Sequence, residues 1–157
     1  MTDPTAGPAL TVTAVRPDER VRWQQLFEGY AAFYTVGLTD ADYDRVWAWI
    51  HDPSRETRCL LARDPDGVPV GLAHYRAYDS PLRGTSGFLD DLYVDPARRG
   101  SGAADALLAA LARIAADEGW GTVRWNTAET NYRARGLYDR HAEKTVFLTY
   151  TMAADTL

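Results

Sequence analysis

Apolar residues recur at two different spacings along this chain of 157 residues, and the spacing separates helices from strands. Helical spacing predicts three helices in the first three quarters of the chain, at Asp18–Tyr34, Asp40–Trp49 and Gly102–Glu118. The third of these has the broadest apolar face. Alternating or continuous apolar runs predict four strands, at Leu10–Arg16, Thr57–Arg63, Val68–Tyr78 and Ser86–Val94.

The last third of the chain completes an alternating order of elements. A strand at Thr122–Thr127, a helix from Asn131 to about His141 and a strand at Thr145–Met152 give the order β-α-α-β-β-β-α-β-α-β. The turn Asp64–Gly67 joins two strands, so we expect an antiparallel hairpin there. The pattern predicts an α/β (α+β) fold in one domain over residues 1–157, and we expect residues 1–8 to be disordered.

The segment from Asp90 to Leu108 has the order strand, glycine-rich turn and apolar-faced helix. Gly100 and Gly102 leave backbone N–H groups uncovered, and the N-terminus of the helix directs further unpaired N–H groups at the turn. This arrangement predicts an anion site that fits a phosphate. The turn lacks the Lys-Ser or Lys-Thr of a P-loop and the third glycine of a dinucleotide fingerprint, which disfavours nucleotide hydrolysis and hydride transfer.

Two adjacent carboxylates, Asp90 and Asp91, precede this turn on the strand. Successive side chains of a regular strand point to opposite faces of a sheet, so we expect one carboxylate to line a cleft and the other to face away. They would then not form a paired dyad. The alternative is that both are solvated charges at a strand edge.

Two motifs connect the chain to a known family. The run Arg99-x-x-Gly102-x-Ala104, after Leu-Tyr-Val-Asp-Pro, resembles the acyl-CoA signature of the GNAT family of N-acetyltransferases. About thirty residues later, Asn131 and the pair Leu137-Tyr138 resemble the second half of the same family. The acidic pair and the ending after Tyr138 are most similar to the yeast-type histone, polyamine and D-amino acid acetyltransferases, and also to the diamine acetyltransferases.

The resemblance implies a GNAT fold, with a mixed, mostly antiparallel sheet of six to seven strands flanked by about four helices. It also implies acetyl-CoA as the acyl donor. Backbone groups of the strand would pair with the pantetheine, the turn would hold the pyrophosphate, and Asn131 and Tyr138 would contact the rest of the donor. The implied donor-binding residues are Leu92, Tyr93, Val94, Arg99, Gly100, Ser101, Gly102, Ala103, Ala104, Asn131 and Tyr138.

The resemblance also implies catalytic roles. Tyr138 would donate a proton to the thiolate of CoA, Asp90 would relay the proton of the amine through water, and Asp91 would hold a cation of the acceptor. Less than about 0.1% of an alkylamine is neutral at pH 7, so removing that proton is a substantial part of the barrier. The first helix ends with three aromatic residues, Tyr30, Phe33 and Tyr34. We expect them to be core residues by default, and the alternative is that they form a wall of the acceptor pocket.

Composition narrows the class of protein. The 17 basic and 22 acidic residues form no basic stripe, so we expect no role in binding nucleic acid. We also expect no membrane span and no signal peptide, which makes the cytoplasm the default location. Cys59 sits in an apolar strand and is predicted to be a core residue. The three histidines, at positions 51, 74 and 141, show no metal-ligand spacing, so we expect no metal.

The sequence therefore predicts an acetyl-CoA-dependent N-acetyltransferase that acts on a primary amine of a small or flexible acceptor by direct transfer. We expect it to work as a homodimer. One alternative is a non-catalytic acyl-CoA-binding or regulatory module. The other is a protein or histone-tail lysine acetyltransferase, which would need an open peptide groove.

Overall fold

The computed structural model describes residues 9–154, and the expectation for residues 1–8 lies outside them. Two short 3₁₀ turns, Pro17–Glu19 and Pro96–Arg98, precede the first and third helices. The strands are β1 (Thr11–Ala14), β2 (Arg58–Arg63), β3 (Pro69–Ser80), β4 (Gly84–Val94) and β5 (Val123–Arg124). The helices are α1 (Arg20–Phe33), α2 (Asp40–His51), α3 (Ala103–Asp117) and α4 (Tyr132–Tyr138).

The five strands form one mixed sheet in the order β1-β2-β3-β4-β5. The first three pairings are antiparallel and the last is parallel. The α/β class and the mixed, mostly antiparallel sheet are confirmed, as is the hairpin between β2 and β3. In that hairpin the Asp64 carboxylate accepts the N–H groups of Asp66 and Val68, each at 3.0 Å, and this fixes the turn.

The prediction of six to seven strands is wrong for the described part of the chain, which has five. The strand expected at Thr145–Met152 is not formed, and its apolar side chains are exposed. Strand β5 is also shorter than the predicted Thr122–Thr127. An alternating pattern describes a half-buried strand only where the register of a neighbouring strand matches it, and the local pattern does not specify that register.

The described chain falls into two compact units, residues 9–126 and residues 127–154. The first contains the whole sheet with α1, α2 and α3, and the second contains α4. The single domain over residues 1–157 stays a prediction.

The sheet of the first unit is covered on both faces. On one face, Trp23, Leu26 and Phe27 of α1 pack with Leu61 and Leu72 of the sheet. The strand neighbours of those two leucines point the other way, toward the face where α3 contacts β2, β3 and β4. On that second face Leu107 of α3 is fully buried, and one of its methyl groups lies against the backbone of β3.

A buried ion pair links the last residue of β2 to the residue before α1. Both carboxylate oxygens of Glu19 accept N–H groups of Arg63, at 2.7 and 2.8 Å, and both side chains are less than a tenth exposed. Burial would raise the pKa of Glu19, but hydrogen bonds from Arg63 and from the Arg16 N–H outweigh it and lower that pKa. Arg63 also donates to Thr13 and Ala14 of β1, so one guanidinium joins β1, β2 and the entry to α1.

Helix α2 begins where its sequence predicts. The Thr39 side chain accepts the N–H of Asp42, and the Asp42 carboxylate accepts the N–H of Thr39 in return. The carboxylate accepts hydrogen bonds from both the N–H and the hydroxyl of Thr39, and these, with a contribution from Arg45, lower the pKa of Asp42 to about 2. The cap fixes the end of the loop that follows α1, and α1 carries the aromatic residues considered below.

Candidate active site

A β-bulge in β4 brings the two adjacent carboxylates to one face of the sheet. In the pairing of β3 with β4, His74 lies opposite Asp91 and Tyr75 lies opposite Leu89, so Asp90 is an extra residue. Asp91 contacts His74, and Asp90 contacts Arg76, which is two residues further along β3 and therefore on the same face. The expectation that the two carboxylates face opposite sides is wrong, because the bulge interrupts the regular alternation.

Asp90 is paired with a cation. The Arg76 Nε donates to its two carboxylate oxygens at 3.1 and 3.2 Å, and the guanidinium lies 4.9 Å from the centroid of the Phe88 ring. Burial raises the pKa of Asp90 above its ordinary value, the nearby Asp91 adds to the increase, and Arg76 opposes it. Asp90 is therefore a more basic carboxylate than an exposed one, and its charge is largely balanced by Arg76.

Asp91 is held by a histidine. Its carboxylate lies 2.8 Å from Nδ1 of His74, and the indole N–H of Trp23 donates to Nε2 of the same ring at 2.9 Å. An indole nitrogen can only donate, so Nε2 must be the acceptor and the single ring proton lies on Nδ1. His74 is thus a neutral imidazole that donates one hydrogen bond to Asp91.

Sequence reasoning missed this histidine. On sequence alone, His74 is considered only as a metal ligand, whereas Asp91 lies directly opposite it in the sheet. A signal was present, since His74 directly follows the apolar run from Val70 to Ala73, and a histidine in a buried strand has to find a hydrogen-bond partner. Identifying the partner required the register of β3 against β4.

The aromatic residues at the end of α1 lie beside the acidic pair. The Tyr30 hydroxyl is 3.5 Å from the backbone carbonyl oxygen of Asp90, a long contact that places the ring next to the bulge. The rings of Tyr30 and Tyr34 have centroids 5.0 Å apart, as do those of Tyr34 and Phe33. Tyr30 packs against the hydrophobic core, whereas Phe33 is 58% exposed, so this row runs from the edge of the core beside the bulge out to solvent.

Tyr93 shows why α1 carries a glycine. Its ring lies so close to Gly29 that a Cβ on that residue would be 2.7 Å from Cζ of Tyr93 and would overlap the hydroxyl. The ring also makes an edge contact with Tyr30, at 6.4 Å between centroids. The sequence left open whether Tyr93 is core or cleft wall. Its side chain packs under α1, which leaves its backbone as the group available at the edge of β4.

The outer edge of β4 is open where a ligand backbone could add to it. Strand β5 pairs with β4 only at Gly87 and Phe88, and from Leu89 to Val94 the pairing of β4 in the described chain is with β3 alone. N–H and C=O groups on the free side of such an edge are available to an extended partner. In the first unit, β4 and β5 therefore diverge beyond Phe88.

The glycine-rich turn leads directly from this edge into α3. Gly102 caps the helix with φ +85°, a conformation that L side chains rarely adopt. Among residues 9–154, the backbone N–H groups of Gly102, Ala103 and Ala104 have no hydrogen-bond acceptor. The turn therefore presents N–H groups together with the positive end of the α3 dipole, which suits an anion.

The two flanking arginines differ. Arg98 pairs with the carboxylate of Asp64 at 3.2 Å, in agreement with a surface role. For Arg99, which lies in the same turn and is exposed, the described chain contains no such ion pair.

In the second unit, Asn131 and Tyr138 mark the two ends of α4. The Asn131 side-chain oxygen accepts the N–H of Ala134 at 3.4 Å and caps the helix, which is shorter than predicted. Tyr138 is the last helical residue, and its backbone carbonyl accepts the N–H groups of His141 and Ala142. Asn131 thus has a structural role in addition to the one that the resemblance implies.

The comparisons with known proteins agree with this fold. The model of the acetyltransferase (GNAT) family matches residues 23–142, which is more than half of the chain. The protein therefore belongs to the GNAT family, and it is an N-acetyltransferase.

Two characterised relatives fall in the subgroup that the motifs indicate. The chain is 27% identical to the D-amino-acid N-acetyltransferase HPA3 of Saccharomyces cerevisiae over 143 residues, covering 90% of this chain and 89% of the relative. It is 32% identical to the thialysine N-epsilon-acetyltransferase of Bos taurus over 87 residues, 51% of each chain.

Solved structures extend the agreement. A ribosomal-protein-alanine N-acetyltransferase from Brucella melitensis superposes with a TM-score of 0.77 at 25% identity, over 92% of this chain and 99% of that one. The aminoglycoside N-acetyltransferase AAC(6')-Iy, solved in complex with CoA, has a TM-score of 0.80 at 18% identity, over 96% and 98%. At that identity the second match supports the fold alone.

The contact between Gly29 and Tyr93 gives a stability prediction. Alanine is normally favoured over glycine inside a helix by about 1 kcal/mol, but here the methyl group would displace Tyr93. We expect Gly29→Ala to lower the free energy of unfolding by about 1–3 kcal/mol, measured by urea denaturation. Adding Tyr93→Leu should make the same change neutral or stabilising.

Gly136→Ala is the matched control, because Gly136 is also inside a helix and an added Cβ meets nothing within 4 Å. It should not destabilise the protein. If Gly29→Ala and Gly136→Ala had the same effect, the packing of Tyr93 under α1 would be contradicted.

Proposed function

We propose that this N-acetyltransferase moves the acetyl group of acetyl-CoA to a primary amine of a small acceptor that carries a further positive charge. The observation that carries the proposal is the pair of carboxylates on one face of the sheet. Asp90 is balanced by Arg76, whereas the ion-pair contact of Asp91 within residues 9–154 is with the His74 imidazole and not with an arginine. A cationic acceptor would supply the missing counter-charge.

The first unit has the features that an acyl-CoA donor requires. The pyrophosphate would bind the turn from Arg99 to Gly102 and the N–H groups of Ala103 and Ala104. Pantetheine amides would pair with the open edge at Leu92, Tyr93 and Val94, as an added strand would. A backbone N–H of that edge would polarise the thioester carbonyl. The turn, the cap and the edge are contiguous in sequence and in the fold, which supports their use by one extended ligand.

The reaction is a direct transfer. The acceptor nitrogen forms a bond to the thioester carbonyl carbon, the carbon–sulfur bond breaks, and the sulfur leaves as a thiolate. The nitrogen must first lose its ammonium proton, and Asp90 would accept that proton through water, because its raised pKa makes it a better base. Tyr138 would give its hydroxyl proton to the thiolate, since a phenol is protonated at neutral pH. The nitrogen of the tetrahedral intermediate carries one proton more than the amide product, and that proton would pass to water, from which Tyr138 would regain its own.

On the acceptor side, Asp91 would bind a second cation of the substrate. Tyr30, Phe33 and Tyr34 would form an adjoining wall, supported by the contact of Tyr30 with the bulge and by the exposure of Phe33. An aromatic row beside a carboxylate suits a flexible chain that carries an ammonium group. The relatives named for D-amino acids and for thialysine support an amine of this size.

Asn131 would contact the donor while its side chain caps α4. A homodimer in the cytoplasm stays the proposed setting. No helix of the described residues is long and apolar enough to cross a membrane.

The test of the proposal is the release of CoA thiol from acetyl-CoA with a panel of amines, with acetylated products identified by mass spectrometry. The panel should contain diamines, polyamines, lysine-like amino acids, neutral monoamines and a histone-tail peptide. We expect turnover with small cationic amines. Turnover with the peptide alone would support a protein acetyltransferase, and donor binding without turnover on any amine would support the non-catalytic module.

The glycine turn gives a prediction about donor affinity. An L residue at the φ of Gly102 is strained by about 1–2 kcal/mol, so the turn would relax and its N–H groups would move. We expect Gly102→Ala to weaken acetyl-CoA binding at least about tenfold in calorimetric titration.

Gly84→Ala is the control for this strain, because Gly84, the first residue of β4, has φ +74°. It should lower stability to a similar degree and leave donor affinity unchanged. A folded Gly102→Ala variant with the affinity of the unmodified protein would remove the turn from the donor site.

Deleting the Tyr138 hydroxyl tests acid catalysis. We expect Tyr138→Phe to reduce kcat by roughly 10²- to 10⁴-fold while acetyl-CoA affinity stays within a few-fold, because only the proton donor is lost. Tyr132→Phe is the matched control, since Tyr132 lies in the same helix and is 72% exposed. Equal activity of the two variants at saturating acetyl-CoA would mean that water or another group protonates the thiolate.

The acidic pair gives a prediction about the acceptor. Diamines should have a kcat/KM several-fold above neutral monoamines of equal length, which corresponds to about 1 kcal/mol for a partly exposed ion pair. This preference should shrink as salt increases. Asp91→Asn should reduce it mainly through KM.

Asp90→Asn should instead lower kcat and alter its pH dependence. Because the pKa of Asp90 is raised, activity of the unmodified protein should fall with decreasing pH at a higher pH than an ordinary aspartate would give, and this acidic limb should disappear in the variant. Asp117→Asn, an exposed carboxylate at the end of α3, is the control for net charge. Equal kcat/KM for the diamine and the neutral monoamine in the unmodified protein and in every variant would contradict the role of the acidic pair. The aromatic residues Tyr30, Phe33 and Tyr34 would then be the main determinant of the acceptor.

A further inference from the structure

His74 is placed so that it can act on Asp91 but not on a substrate. Its side chain is 2% exposed, and both ring nitrogens are engaged, Nε2 by Trp23 and Nδ1 by Asp91. The ring also stands edge-on to Phe27, with 4.7 Å between centroids. A ring with no free nitrogen and almost no exposed surface cannot take a proton from an acceptor amine, so His74 is not a general base.

The Trp23 indole determines the charge of His74. Trp23 is fully buried, and its ring is fixed by Phe27, Tyr43 and Trp47 at centroid distances of 4.9 to 6.5 Å. It therefore cannot turn its N–H away from Nε2. A second proton on His74 would put two donors against each other at 2.9 Å, so the contact favours the neutral ring.

The charged groups around the His74 ring show how an uncharged imidazole affects Asp91. Opposite His74 on the other side of β3 lies Cys59, whose thiol stays uncharged at neutral pH because burial raises its pKa. On the same sheet face, Arg76 is engaged by Asp90. Among residues 9–154, the ion-pair contact of Asp91 is with His74 alone. A charged imidazole would neutralise Asp91 as Arg76 neutralises Asp90, whereas a neutral one orients it and leaves its charge in place.

We propose that His74 is a positioning residue of the acceptor site, which holds Asp91 through one N–H donor while Trp23 keeps the ring uncharged. This inference rests on the proposed function, because it assumes that Asp91 binds the acceptor cation. It explains why a buried histidine, and not a second arginine, stands behind the second carboxylate. An arginine there would give Asp91 its counter-ion in advance and remove the attraction for the substrate.

Two amide substitutions separate the two nitrogens of His74. The side-chain N–H of asparagine lies near the position of Nδ1, so His74→Asn can still donate to Asp91. The longer glutamine places its amide near Nε2, so His74→Gln can accept from Trp23 but lacks the donor to Asp91. Both variants remove the ring, so they share the loss of packing against Phe27 and differ in the bond that the inference concerns.

The experiment compares kcat and KM for 1,4-diaminobutane and for butylamine in the unmodified protein, His74→Asn, His74→Gln, Asp91→Asn and the double variant His74→Gln/Asp91→Asn. We expect His74→Gln to lose the several-fold preference for the diamine through KM, to the same extent as Asp91→Asn, with no further loss in the double variant. His74→Asn should keep most of the preference. If His74→Gln does not fold, His74→Leu takes its place.

Equal preference in His74→Asn and His74→Gln, while Asp91→Asn has lost it, would overturn the positioning role and leave His74 as a packing residue. An additive loss in the double variant would also overturn it. If Asp91→Asn itself left the preference unchanged, the failure would be that of the proposed acceptor site. The two failures are therefore distinguishable.

Discussion

A hydrogen-bond chain from Trp23 through His74 to Asp91 links α1 to strands β3 and β4 of the sheet. Each member is fixed by the next, since the indole can only donate, the imidazole accepts on one nitrogen and donates on the other, and the carboxylate accepts. Truncating a buried link would leave an unsatisfied polar group, which costs about 1–3 kcal/mol. The position of α1 over the sheet, and with it the aromatic row next to the bulge, depends on this chain.

The site also depends on an irregularity of the sheet. A regular β4 would send Asp90 and Asp91 to opposite faces, where one of them would lie on the side of α3. The bulge places both on the α1 face, with different partners and different net charge. Two neighbouring carboxylates thus have different surroundings: Asp90 lies beside Arg76, and Asp91 is held by the ring of His74.

Local pattern was sufficient to predict much of the molecule. The hairpin at Asp64, the start of α2 at Asp40 and the turn into α3 follow from short-range chemistry, and each is present. The bulge and the partner of His74 could not be predicted, because they depend on the register between β3 and β4, which no local pattern specifies. For the same reason the apolar alternation at Thr145–Met152 predicted a strand that the described chain does not form.

The protonation of His74 tests the account most directly, because the charge of Asp91's partner underlies the acceptor preference. Long-range ¹H–¹⁵N correlation spectra of the ¹⁵N-labelled protein report which ring nitrogen carries a proton, and His74→Asn identifies the His74 signals among the three histidines. The account predicts a proton on Nδ1 and none on Nε2 at neutral pH. A proton on Nε2, in either a neutral or a charged ring, would contradict it.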